Sequence, residues 1–411
     1  MDPVFYAGYL YLQSALPSNS MTLQELQDLW NTSHTSSSFL LSSPLALWIE
    51  SITQSFFYKT QEDGSQSSTN DTFPSPYIPP VSPANGEWRP IRVPNGTFTN
   101  SWNIPWVNDS DPTTYSTQSF ATPQWGGVKG YEWHRTNGEN YPSFVQSVLN
   151  VYLPEIQDPD KLNNQMNQVL NMQETMNTRD QAIAEFWEDG SQTAKPCGKW
   201  NWLVRAYSRA SGYTEVQNLE VLFGLNACMA NAFIIAWDIK RTYLGERPVS
   251  YLRRELTSMF SGWRGKTMGI GTIDPTQPNE SFLPYQEPTF VTPPFPGFIS
   301  GHSTISSAAA TFLTMYTKNE NMSKLQIQIV AQDRTVKQGT MTTFGRFIFE
   351  KQQLQYANGT TDVILMWPTW KDAADEAGMS RLKGGIHILA DHQAAVEIGE
   401  WIAQQTYSYF K

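Results

Sequence analysis

The chain reads as an all-α protein, a helical bundle carrying long irregular loop insertions. Three observations predict this. Apolar residues return at helical spacing, as Leu23, Leu26 and Trp30 do, so each such segment has one face to bury. Residues 222–237 are almost wholly apolar, the composition of a helix lodged deep inside a bundle. Neither a β-α-β alternation nor an internal repeat is present to suggest another architecture.

In order along the chain, residues 1–60 alternate short apolar helical runs (5–16, 23–30, 45–57) with Ser/Thr spacers. From 62 to 132 the composition shifts to Pro, Gly, Ser, Asn and Trp, in pieces such as Gly86-Glu-Trp-Arg-Pro90 and Pro123-Gln-Trp-Gly-Gly127. A structureless stretch of that length is unusual, so it is expected to lie across the body, pinned by its aromatics. Helices are expected at 142–153 and 158–187, the second stopped by Asp189-Gly190, with Gly190 as terminator. Further helices follow at 199–210 and 213–243, and Pro248 opens another through 260. A Gly/Pro loop (261–298) runs into a helix reaching about 316. Residues 335–364, with Thr342-Thr-Phe-Gly-Arg-Phe-Ile-Phe349, alternate enough for one short hairpin. The last helices are expected at 371–379 and 386–407. The expected organisation is an N-terminal part, 1–180, of helices and wrapping loop, packed on a catalytic bundle, 181–411, as one structural unit.

The 411 residues are 40% hydrophobic and include 15 Trp, enough for a large core. A net charge of −10 argues against a nucleic-acid surface and gives the few cations local importance. No apolar run reaches the roughly 18 residues of a bilayer span, so a soluble protein without a membrane span is expected. Cys197 and Cys228 allow one disulfide or none. Seven Asn-x-Ser/Thr triplets, at Asn31, Asn70, Asn95, Asn108, Asn279, Asn321 and Asn358, point toward a secreted or extracytoplasmic protein. No basic region precedes the apolar residues 4–16, so no signal peptide is visible in the chain.

Chemistry concentrates in three stretches. Pro293, Pro294 and Pro296 lead into Ser300-Gly301-His302 and then an alanine-rich helix. A helix start offers free N–H groups and positive potential, here with a hydroxyl and an imidazole, which suits a tetrahedral oxyanion. Upstream, Lys240 and Arg247-Pro248 are separated by six residues. Downstream, Arg381 follows Ser380, His387 follows after five intervening residues, and Asp391 lies one helical turn further. Two guanidiniums, an ammonium and two imidazoles thus become available to one anion, Arg as a planar fork of donors and Lys as a point charge.

Lys-x6-Arg-Pro, Ser-Gly-His and Ser-Arg-x5-His-x3-Asp, in that order, resemble the vanadium haloperoxidase and acid phosphatase superfamily, over roughly residues 183–405. The resemblance implies that Lys240, Arg247, Ser300, Gly301 and Arg381 hold the oxygens of vanadate. It implies that His387 is the metal ligand and that His302 is the acid–base partner. Asp391 is a candidate orienter of His387. Phosphate fits the same seat, and a phosphatase would use His387 as a nucleophile forming a phosphohistidine. Trp237, three residues before Lys240, and Phe295, five before Ser300, occupy the places the chloroperoxidase branch fills with Trp and Phe, implying an apolar halide pocket. Phe186-Trp187-Glu-Asp189-Gly190 resembles a family segment whose Asp would pair with Arg381, although the family has one residue more there. Ile299 replaces the usual proline, and Ser303 stands where alanine is common, adding a hydroxyl beside the halide pocket. His34, His134 and His392 match no motif; His392 projects about 100° from Asp391 on the helix, suggesting a surface or core role.

The leading expectation is a vanadate-dependent haloperoxidase that oxidises halide with hydrogen peroxide to hypohalous acid or an equivalent, with Lys240 polarising the peroxide and a small organic molecule as a possible acceptor. The alternatives are an acid phosphatase using the same residues, and an anion-binding protein with a silent site.

Overall fold

The computed structural model describes residues 86–130, 140–190, 195–265, 267–322, 326–329 and 363–409. Helices dominate them, as the sequence predicts. α1 (Ser143–Gln157) and α2 (Pro159–Glu174) meet at Asp158, whose carboxylate accepts the Asp160 and Lys161 N–H groups while Pro159 fills the first helical position. α3 (Thr178–Phe186) follows. The single helix expected over 158–187 is therefore two. Asn177 breaks it by closing a capping box with Asp180 and starting a new helix. The stop also differs: α3 ends at Phe186, and Asp189 takes the left-handed conformation (φ 48°) expected of Gly190.

α4 (Lys195–Ala210) leads to α5 (Glu215–Tyr243), which opens on a Thr214/Gln217 capping box. By length and composition α5 could cross a bilayer, more than the sequence reading allowed for, but 67% of its most apolar stretch is buried. It is a core helix. α6 (Pro248–Glu255) stops short of the expected 260, because Phe260 starts a hairpin in which β3 (Phe260–Trp263) pairs antiparallel with β4 (Ile270–Ile273). Earlier, β1 (Arg92–Pro94) pairs with β2 (Tyr115–Thr117), and later β5 (Gln326–Ile329) pairs with β6 (Val363–Met366). The hairpin expected around 342–349 and the helical runs within 5–57 lie outside the described residues.

α7 (Gly301–Thr317) is the hub, packed against α5, α8 (Trp370–Lys383) and α9 (Leu389–Ser408). Small side chains make this closeness possible: Ala308 to Ala310 are buried on α7, and Gly399 of α9 lies so near Ser307 that a β-carbon would collide. The apolar core is continuous from Trp88 in the wrapping segment to Ala403 in α9.

Of the irregular excursion expected over 62–132, residues 86–130 are described, and they lie against the helical body. Trp88, 1% exposed, donates its backbone N–H to Leu244 O, and Glu87 bridges Gly245. Ala121 donates to Pro294 O and Gln118 to Thr292 O, tying the segment to the loop that precedes α7. Gly126 lies directly on α5, where a β-carbon would come within 2.6 Å of Asp238 Cα. Cys197 and Cys228 are free thiols.

Candidate active site

The site forms where α5, α7, α8 and the start of α9 converge. α5 delivers Trp237 and Lys240 one turn from its end, and Arg247 is the residue on which α6 begins. α7 begins immediately after Ser300, whose hydroxyl caps it by accepting the Ser303 N–H at 3.3 Å. Arg381 comes from the last turn of α8. The final helix starts at Leu389 and not at 386, so His387 sits in the turn before it. The expected pairing survives because Asp391, third in the helix, reaches back to the Ile388 N–H.

His387 is held by both nitrogens and is 2% exposed. Nδ1 lies 2.7 Å from Asp391 Oδ2, and Nε2 lies 2.9 Å from Arg247 Nη1. A guanidinium can only donate, so Nε2 carries the lone pair and Nδ1 carries the proton, which it donates to Asp391. Burial, followed by the charges of Arg247, Lys240 and Arg381, holds the His387 pKa well below the ordinary histidine value. The ring is neutral, with its lone pair at Nε2, where it meets Arg247. Burial raises the Asp391 pKa to about 6, against the pull of Lys240 and Arg247.

Around this imidazole, Lys240 and Arg247 are wholly buried and Arg381 is 1% exposed. Lys240 Nζ donates to Pro296 O at 2.6 Å and Gly297 O at 2.8 Å. Arg247 donates to Phe295 O at 2.9 Å and Ile386 O at 2.7 Å, leaving Nη2 without a partner. Arg381 donates to Trp187 O at 2.9 Å, and its Nε is likewise buried and unpartnered. Among the described residues the N–H groups of Gly301 and His302 find no acceptor either. Burial lowers the pKa of Arg247 to about 9 and of Arg381 to about 10, and pushes that of Lys240 well down. Asp391 is the carboxylate whose charge reaches both Lys240 and Arg247. Buried donors left open and cations short of counter-charge suit an anion as their partner.

Trp237 and Phe295 form one wall, with ring centroids 4.8 Å apart and Lys240 Nζ 5.2 Å from the Phe295 centroid. Trp237 is held from behind by Phe233, stacked at 3.9 Å, and by the wrapping segment, whose Ala121 O accepts its indole N–H at 3.2 Å. His302 Nε2 lies 3.6 Å from Asp189 Oδ2. Burial and then Arg381 lower the His302 pKa to about 4, outweighing Asp189.

Two expectations about neighbouring residues change. Asp189 does not pair with Arg381: its Oδ1 binds Lys199 Nζ at 2.8 Å, with both side chains almost fully buried. Burial opposes ionisation of Asp189, but Lys199 and His302 outweigh it and hold its pKa at about 2. The left-handed turn at Asp189, one residue shorter than the family segment, directs its carboxylate at α4. Ser303 makes its hydroxyl contacts with Ser300 and with His392 Nδ1. His392 is thus a core histidine, as expected, but one in contact with the site. Lys199 was missed because it belongs to no motif. Its one sequence signal is a lysine on the same stripe as Leu203 and Ala206, where an apolar residue would be expected.

The fold is a helical bundle, and buried, incompletely paired cations gather where its central helices meet. Residues 220–411 match the family model of the VCPO second helical-bundle domain, in line with the vanadium haloperoxidase resemblance of the motifs. Among solved structures, a holo-type bacterial vanadium-dependent chloroperoxidase superposes with a TM-score of 0.70 at 17% identity, over 99% of this chain and 81% of that one. The apo-type form gives 0.71 at 17% identity, over 99% and 83%. A bacterial vanadium-dependent iodoperoxidase gives 0.53 at 18% identity, over 98% and 77%. A search of curated proteins gave no match. At these identities the solved structures establish the fold, and the fold is that of the vanadium haloperoxidases.

Proposed function

We propose that the protein is a vanadate-dependent haloperoxidase, oxidising halide with hydrogen peroxide. The observation that carries this is the His387 tautomer: a neutral imidazole with its lone pair at Nε2, surrounded by buried, incompletely paired cations. That donor set suits an oxyanion whose central atom accepts a nitrogen ligand. The open Nη2 of Arg247, Nε of Arg381 and N–H groups of Gly301 and His302 supply what its oxygens need.

When bound, vanadate supplies a Lewis-acid centre that activates peroxide toward halide with no change in oxidation state. His387 would ligate it, with Asp391 fixing the ring's orientation and proton. Lys240, Arg247, Ser300, Gly301 and Arg381 would hold its oxygens, and the buried cations would concentrate positive potential where negative charge shifts during oxygen transfer. Neutral His302 can take up a proton on its ring and pass it on, its side chain 16% exposed where the rest of the set is closed. The Trp237–Phe295 wall excludes water from one side and offers halide or a small organic acceptor an apolar surface. Nothing in the donor set rejects phosphate, so a phosphatase acting through His387 is the second reading. The Asp391–His387 pair favours it equally, because a nucleophilic imidazole needs the same tautomer.

Parallel assays separate the two. Purified protein in phosphate-free buffer should brominate a dione dye only when orthovanadate, peroxide and bromide are all present. Hydrolysis of an aryl phosphate inhibited by vanadate, without bromination, would move the assignment to the phosphatase.

A further inference from the structure

Ser303 and His392 are absent from the oxyanion-binding set, yet both are buried against it, 1% and 8% exposed. Ser300 Oγ accepts twice from Ser303, from the backbone N–H at 3.3 Å and from the hydroxyl at 3.0 Å. A serine oxygen has two acceptor positions and one proton. With both positions filled, Ser300 retains only its own proton to give, and no described residue takes it. Ser303 has spent its proton on Ser300, so its oxygen accepts from His392 Nδ1, 2.9 Å away. Gly378 of α8 makes the approach possible: a β-carbon there would lie 2.8 Å from Ser303 Oγ and collide with the His392 ring.

We propose that His392 and Ser303 form a one-way hydrogen-bond chain, N–H to O–H to O–H, that orients the Ser300 hydroxyl toward the bound oxyanion. It rests on the oxyanion-site reading above. Burial supports it by lowering the His392 pKa to about 4, so that the ring is neutral and carries a single N–H. Each donor polarises the next, and the last bond, to an anion, is the strong one. Ser303 and His392 are positioning residues that touch no reacting atom. The serine that replaces the family's alanine acts on how the anion is held and not on the halide wall.

The test is calorimetric titration of the intact protein with orthovanadate, and separately with inorganic phosphate, with thermal unfolding of each variant measured alongside. Ser303→Ala and His392→Leu should each weaken both anions by about tenfold, the worth of one hydrogen bond to a charged group. His392→Asn, which keeps a donor near the Nδ1 position, should restore affinity to within about threefold. The double variant Ser303→Ala/His392→Leu should bind no worse than Ser303→Ala alone, because His392 acts through Ser303. Wild-type affinity in Ser303→Ala, or additive losses in the double variant, would overturn the proposal. So would variants that lower the unfolding temperature yet bind as wild type. A wild-type protein that takes neither anion would overturn the underlying site reading as well.

Discussion

His387 is gripped at opposite nitrogens, by Asp391 and Arg247, and the two contacts specify both its tautomer and its orientation. On the proposed function, His387→Ala should therefore abolish vanadate-dependent bromide oxidation, reducing turnover by about a thousandfold or more in a steady-state assay. Lys240→Ala should reduce kcat for bromide oxidation more than it weakens orthovanadate binding, since Arg247, Arg381 and the α7 terminus still hold the anion. Equal losses in both would remove the special role of Lys240. His302 gives a pH signature. Its folded pKa, about 4, lies below the ordinary 6.5, so between those values the unfolded chain binds more protons than the folded one. Stability must then rise with pH across that window and fall away as the solution is acidified through it. His302→Gln should flatten unfolding temperature against pH between about 4 and 6.5 by close to one proton's worth; an unchanged slope would contradict the burial argument. Lys199→Met would leave the buried Asp189 carboxylate without its partner and should cost about 3–5 kcal/mol in denaturant unfolding. At this scale the sequence was most legible, because motif spacing places Lys240, Arg247, Ser300, Arg381 and His387 without reference to anything distant. Lys199 and the Ser303–His392 contact were illegible because they depend on which faces of α4, α7 and α9 meet.

The elements explain why those residues converge. The start of α7 supplies N–H groups and a capped serine, α5 carries a lysine through an apolar core to the same point, and the wrapping segment braces the aromatic wall from outside. Gly126 is where that brace touches α5 most closely. Gly126→Ala should push the segment off Asp238, lower stability by about 1–3 kcal/mol and loosen Trp237, seen as a change in its fluorescence. A variant as stable as wild type, with unchanged fluorescence, would show the segment is not a brace. Helices with strong periodicity, α5, α7 and α9, were legible within a few residues. The break at Asn177 and the β3–β4 hairpin were not, since capping chemistry at Asn177 and pairing partners for Phe260–Trp263 are decided by a few polar groups and by tertiary contact.

The whole molecule is an acidic protein that buries the side chains of Lys199, Lys240, Arg247 and Arg381. Such an arrangement suits a bound anion, and we propose that vanadate on His387 completes it. X-ray absorption at the vanadium edge tests this most directly, on protein loaded with orthovanadate in phosphate-free buffer. The account predicts imidazole scattering around vanadium in the wild type and its loss in His387→Ala. A wild-type spectrum showing only oxygen neighbours would contradict it.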